Sequence, residues 1–272
     1  MTTPTLPTFR LACQDHLPAG ATLAERLHNL RRYGFDAVEL LGYGLLDRLP
    51  ATRRALDETG VPVTAICAGF DGSLVHPEPA QRRLALDGIL RLLDVAEELG
   101  AGGLIIAADY ATPPLPDLRP AADEPALLHD LLLAGLREIG GRLRGRDVEL
   151  YLEPLNRYES RALRRIAPAV ALCEESGSPS VRVLYDAFHM TIEEADPAAA
   201  LRAAGPRIGY VHLADSNRAL PGHGHTNFGA LLNTLGAMGF AGVASLECGV
   251  PGNPDELLPR CVDMLRHAAA TL

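Results

Sequence analysis

The chain has 272 residues, 47% of them apolar, and a formal net charge of −9, with no run near the roughly 18 apolar residues that a membrane-spanning helix needs. All 25 basic residues are arginine, so mechanisms built on a lysine Schiff base or a P-loop lysine are excluded. The negative balance argues against a nucleic-acid partner, which calls for a positive field to displace counterions.

The first residues, MTTPTLPTFR, lack a basic segment followed by an apolar one. Residues 1–8 are expected to be a flexible tail and the protein cytoplasmic. In chain order, short strand-like runs then alternate with segments of helical period. The runs are FRLAC (9–13), AVELLG (37–42), VTAICAG (63–69), GLIIAA (103–108), VELYLEP (148–154), VRVLYDA (181–187), IGYVHLA (208–214) and GVASLEC (242–248). Amphipathic stretches lie between them, at 23–34, 79–100 and 124–143 among others, and several stop at a glycine, as at Gly34, Gly60, Gly100 and Gly177. The Pro-rich piece 111–125 is expected to be a long loop over the barrel mouth. Five scattered cysteines match neither a disulfide framework nor a zinc motif. Eight βα pairs without a G-x-G-x-x-G turn after the first strand predict one α/β domain over 1–272, a (β/α)8 barrel.

In such a barrel the chemistry sits at the carboxyl ends of the strands. The fifth run carries Glu153 near its end, the sixth Asp186, the seventh His212 and the eighth Glu247, while the first four end in nothing comparable. Period-2 alternation puts Tyr151 with Glu153, Leu184 with Asp186, Tyr210 with His212 and Ser245 with Glu247 on the inward face. A single strand-end glutamate is more often solvated or capping than a ligand, and a single strand histidine is more often a core residue. Four on consecutive strands form an oxygen-rich set suited to one divalent ion, Mn²⁺, Mg²⁺ or Co²⁺, with two positions left for adjacent substrate oxygens. Asp215 is expected to orient His212 or a neighbour. Cys67 is expected to be a small buried thiol, and His16, His76 and Tyr110 follow strands. His223 and His225 are placed at the rim of a glycine-built loop.

Over about 148–248 the chain resembles the xylose isomerase-like TIM-barrel superfamily, specifically the D-tagatose and D-psicose 3-epimerases. The motifs are EPLNRYE (153–159), DAFHMTIEE (186–194), HLADSNRALPGHGH (212–225) and SLEC (245–248). The resemblance implies that Glu153, Asp186, His212 and Glu247 hold one metal, Mn²⁺ foremost, that Glu153 and Glu247 are the acid/base pair, and that Glu159, His189 and Arg218 contact substrate. It implies an isomerase: a ketose or keto sugar acid 3-epimerase working through a metal-stabilised enediolate, in a homo-oligomer (dimer or tetramer). The loop ADSNR departs from the E-N or E-S pairs of familiar tagatose epimerases and leaves the substrate open.

Hydroxypyruvate isomerases and keto-inositol dehydratases share this scaffold and are the alternatives. A xylose isomerase proper needs a lysine. An endonuclease IV-like nuclease needs further histidine and aspartate ligands and a basic surface, and a noncatalytic sugar-binding barrel would carry a broken site.

Overall fold

The computed structural model describes residues 9–110 and 112–270. Eight strands close into one parallel barrel in chain order: β1 (Arg10–Gln14), β2 (Ala37–Leu41), β3 (Val63–Cys67), β4 (Gly103–Ala107), β5 (Glu149–Glu153), β6 (Val181–Asp186), β7 (Ile208–Leu213) and β8 (Val243–Leu246), with β8 pairing back to β1. The helices are α1 (Leu23–Arg32), α2 (Leu45–Thr59), α3 (Pro79–Glu98), α4 (Glu124–Arg142), α5 (Ile166–Glu175), α6 (Ala187–Glu193), α7 (Pro197–Ala204), α8 (Phe228–Ala237) and α9 (Pro254–Ala270). The predicted (β/α)8 barrel is therefore the fold. One strand departs from simple pairing, because β6 is followed by two helices, the first of which starts directly on Asp186. The tail expected over 1–8 lies outside the described residues. Among the described residues no helix is long and apolar enough to cross a membrane.

Local chemistry sets the boundaries. Thr22 caps α1, its Oγ1 accepting the Glu25 N–H at 3.2 Å while Glu25 accepts the Thr22 N–H, a reciprocal capping box. The predicted stops at Gly34, Gly60, Gly100 and Gly177 all adopt positive φ, which a side chain would disfavour. The outer strand faces and the helices share one large apolar core of Leu, Ile and Val side chains.

The inside of the barrel is plugged below the catalytic end by a second buried cluster, in which Ala12, Ala37 and Ala65 on β1–β3 face Tyr151 and Tyr210 on β5 and β7. Small residues on one side make room for rings on the other. The two tyrosine rings lie 5.1 Å apart, and Tyr210 Oη shares a hydrogen bond with Thr64 Oγ1 at 2.8 Å. Two bulges serve this plug. Val183 pairs with Ile208 but Leu184 with Tyr210, so Gly209 is an extra residue in β7, and Thr64 is the extra residue in β3. A Cβ on Gly209 would stand 2.7 and 2.9 Å from ring carbons of Tyr151.

Gly209→Ala is accordingly expected to destabilise the protein by about 1–3 kcal/mol through overpacking. Gly141→Ala, at a helical position with open space around it, is expected to stabilise by about 0.5 kcal/mol. Urea denaturation of the two variants beside wild type measures both.

Candidate active and metal-binding site

The strand ends bring Glu153, Asp186, His212 and Glu247 together, with one donor atom of each within 4.8 Å of all the others. His212 Nδ1 stands 3.3 Å from Glu247 Oε2, 3.4 Å from Glu153 Oε1 and 3.8 Å from Asp186 Oδ2. Ligands at about 2.1 Å from one ion and at right angles to each other lie about 3 Å apart, so the spacing suits a small six-coordinate ion. Glu153 Oε1, Asp186 Oδ2 and His212 Nδ1 are buried and make no hydrogen bond. Buried polar atoms are rarely left so, and three of them facing one point fit a divalent cation.

Three of the four candidate ligands are aimed by a neighbour. Asp186 ends β6 and caps α6 with its other oxygen, Oδ1 accepting the His189 N–H at 3.0 Å, which leaves Oδ2 for the site. His212 is fixed by Glu39 on β2, whose Oε2 lies 3.1 Å from Nε2, so that in the neutral ring Nε2–H donates and the Nδ1 lone pair faces the carboxylates. Gln14, at the end of β1, donates from Nε2 to Glu39 Oε1 and to Glu247 Oε1, both at 2.9 Å. The first four strands add no further donor to the group of four, but Glu39 in mid-β2 and Gln14 at the end of β1 support it from behind, a role the sequence reading missed. Glu39 was legible, since alternation from Ala37 points it inward, whereas Gln14 lies one residue beyond the run FRLAC.

The charges respond to one another in the absence of a cation. Burial raises the Glu153 carboxyl, and burial with the Glu247 charge lifts Asp186 to about 6. Burial works against a charged His212 ring, but the Glu39 and Glu247 carboxylates outweigh it and hold the ring well above the usual range. Glu247 is also penalised by burial, yet His212 and Arg218 bring it down to about 2.

The three residues expected to meet substrate also converge here. Arg218 lies over the Phe188 ring at 4.9 Å, donates from Nη2 to Glu247 Oε2 at 3.2 Å and stands 3.6 Å from Glu159 Oε1. His189 Nδ1 accepts the backbone N–H of Asn156 at 3.1 Å, while its Nε2 faces Arg218 Nη1 at 3.2 Å and stands 4.0 Å from both Glu153 Oε1 and Asp186 Oδ2. Asn156 Nδ2 also donates to Glu159 Oε1 at 2.8 Å, a positioning role in EPLNRYE that the sequence reading missed. Asp109, just past β4, accepts from Ser160 and from the Arg161 and Ala162 N–H groups, pinning the loop that carries Glu159.

Asp215 does not touch His212. Its Oδ1 accepts the N–H groups of Ser216 at 2.7 Å and Thr226 at 3.0 Å, and its Oδ2 that of Gly222 at 2.9 Å, so it ties together the loop that returns Arg218 to the site. Arg218 reaches back with φ of 59°, its N–H bonded to the Asp215 carbonyl at 2.7 Å. His223 and His225 are exposed and take no part in the group of four donors.

A cavity of about 620 Å³ opens over these residues, lined by Glu153, Glu159, Arg218 and Glu247 from β5, from just past β8 and from the loops after β5 and β7, and by Tyr43, Phe70, Leu74 and Tyr110 from the loops after β2, β3 and β4. Cys67 is buried and also lines it, its Sγ 3.8 Å from Glu247 Oε1. Residues 112–123 form a long loop, as expected, and none of the residues 112–125 lines the cavity; Arg161 binds Glu124 and the Thr112 carbonyl. His16 is exposed and His76 is tied to the Glu78 N–H, and neither lines the cavity.

Residues 27–268 match the family model described as "xylose isomerase-like TIM barrel". The 3-dehydro-D-guloside 4-epimerase of Escherichia coli K12 is 31% identical over 88% of this chain and 92% of its own. The L-ribulose 3-epimerase of Mesorhizobium japonicum is 30% identical over 84% of this chain and 76% of its own. Among solved structures, a 3-keto-D-glucoside 4-epimerase from E. coli in its apo form superposes with a TM-score of 0.87 at 27% identity, over 95% of this chain and 99% of that one.

The Asp215 carboxyl is penalised by burial but lowered to about 2 by the backbone N–H groups around it. Because this lies below the unfolded value of about 3.9, its contribution is fully present above that pH and is lost as pH falls towards 2. Wild type is expected to exceed Asp215→Asn in stability by about 1–2 kcal/mol at pH 7, with the gap closing between about pH 4 and pH 2. Urea titrations of both proteins across that range give the difference directly.

Proposed function

The chain belongs to the xylose isomerase-like TIM-barrel family, and on that premise we propose that it is a carbohydrate isomerase, a divalent-metal-dependent epimerase of keto sugars. The observation that carries the metal centre is the set of three buried, unbonded donor atoms of Glu153, Asp186 and His212 facing one point beside Glu247. The relatives act, by their names, on a 3-dehydroguloside and a ribulose. Both are sugars with a carbonyl beside a carbon that bears a proton, and the reaction inverts such a carbon.

Taking that proton is slow because negative charge builds on the carbonyl oxygen. A cation held by Glu153, Asp186, His212 and Glu247, Mn²⁺ in the first instance, supplies Lewis-acid stabilisation of that charge when bound. The protein's own groups move the protons. Glu153 and Glu247 come from β5 and β8 and reach the centre from different strands, so one takes the proton and the other returns one to the opposite face. His189 and Arg218, paired through Nε2 and Nη1 and with Arg218 braced by Glu159, hold substrate hydroxyls and so select the carbon presented. Glu39 and Gln14 keep His212 and Glu247 in place without touching substrate.

Incubating Mn²⁺-loaded protein with a panel of ketoses and 3-keto glycosides in D₂O tests this reading. Deuterium should appear beside the carbonyl, read by NMR; exchange nowhere in the panel, with metal demonstrably bound, would overturn it. Glu153→Gln and Glu247→Gln are each expected to lower the exchange rate by about 10³-fold or more while circular dichroism stays unchanged. Stripping the metal with a chelator should abolish exchange, and Mn²⁺ should restore it.

Glu39→Ala removes the partner that orients His212. It is expected to weaken Mn²⁺ binding by about 10- to 100-fold, measured by isothermal titration calorimetry. Unchanged affinity would show that Glu39 has no part in orienting the ligand.

A further inference from the structure

We propose that the wall built by the loops after β2, β3 and β4 is a subsite for a second hexopyranose ring, so that the keto sugar enters as a glycoside and not as a free monosaccharide. This rests on the keto-sugar epimerase reading above and names its substrate class. The groups that would handle the reacting ring, Glu153, Glu159, Arg218 and Glu247, line the cavity from β5, from just past β8 and from the loops after β5 and β7. Its volume of about 620 Å³ falls in the range of about 300–1,000 Å³ that buries ligands well beyond one sugar ring in size. The remaining length is walled by Leu41, Tyr43, Phe70, Leu74 and Tyr110.

Tyr43 and Tyr110 are 67% and 69% exposed. Two large rings left in water at the rim of a cavity form an apolar face with a polar tip, the arrangement that stacks on the C–H face of a pyranose while its hydroxyls stay hydrated. The charge pattern favours a neutral occupant. Among the described lining residues Arg218 is the one base, and Glu247 and Glu159 already engage it; the other charged lining groups are Asp109 and Glu153. A phosphate or carboxylate on the second unit would meet no cation at this end.

The wall is also rigid. Gly42 and Gly69 bring the β2 and β3 loops into backbone contact, since a Cβ on either would lie 2.1 Å from the other loop. The strand ladder continues into these loops through Gly42 N–H to the Cys67 carbonyl at 2.9 Å and Ala68 N–H to the Ile105 carbonyl at 3.0 Å. Phe70 packs on Gly88 of α3, where a Cβ would come within 2.8 Å of the Phe70 Cβ. A surface held this firmly binds without a large ordering cost.

The test compares two substrates with the same reacting ring, 3-keto-cellobiose and methyl 3-keto-β-D-glucoside, by deuterium uptake with Mn²⁺-loaded enzyme. The disaccharide is expected to exceed the methyl glycoside in kcat/KM by about tenfold, and the Tyr43→Ala/Tyr110→Ala double variant to bring the ratio close to one. Exchange of both substrates at equal rates, or an unchanged ratio in the variant, overturns the subsite and leaves the epimerase reading standing. Exchange of neither substrate counts against the epimerase reading, and a second measurement then decides the subsite. Saturation-transfer NMR with cellobiose should show contact to the reducing ring in wild type and its loss in the double variant. Absence of contact to that ring, or contact that survives both substitutions, overturns the proposal. So does a fall in molecular mass by light scattering in the double variant, which would assign the tyrosines to a contact between chains.

Discussion

Like charges crowded in a dry place are the constraint on which this molecule depends. Glu39, Glu153, Asp186 and Glu247 gather around the single ring of His212 at the end of a closed barrel, and Glu39, Asp186 and His212 have no exposure to solvent at all. In water these charges would be screened; in the barrel they cannot be. The His212 ring, with its pKa raised by its neighbours, the clamp of Gln14 and the guanidinium of Arg218 offset them. The unbonded atoms that remain are those a cation would satisfy. On the proposed reading, metal binding would exchange protons for an ion and supply the charge that the chain itself lacks there.

The plug beneath the site makes this arrangement affordable in space and in geometry. Tyr210 meets the edge of His212 at 5.7 Å and is held by Thr64, and Tyr151 packs against it. Bulges at Thr64 and Gly209 admit these rings without breaking the barrel. The ligands therefore stand on a filled, rigid floor. By contrast, the groups proposed to choose the substrate sit on loops, each tied by one buried acid: Asp109 holds the loop of Glu159 and Asp215 the loop of Arg218. On the proposed reading, strands carry the chemistry and pinned loops the selection, the usual division in a βα barrel.

The four clustered donors were readable because they obey two local rules at once: a polar residue near a strand's end, and period-2 alternation that turns it inward. Glu39 obeys the second rule, but as the mid-strand residue of AVELL it fails the first. Asp215 is the converse case. Its place beside His212 in sequence suggested a partner, yet the chain turns sharply after Leu213, and its carboxylate finds backbone N–H groups before it finds the imidazole. Short-range proximity is a poor guide where a loop folds on itself, because an acid there satisfies the nearest unpaired donors.

The sequence by itself determined the barrel, the strand order and the inward set of β5 to β8, since periodicity and glycine stops act within a few residues along the chain. Only the tertiary structure decided that Glu39 and Gln14 complete the site, that Asp215 serves the loop, and that Tyr43 and Tyr110 share one cavity rim. Those relations join residues far apart in the chain. Barrel closure and the stagger between strands bring them together, and neither leaves a local mark in the amino-acid order.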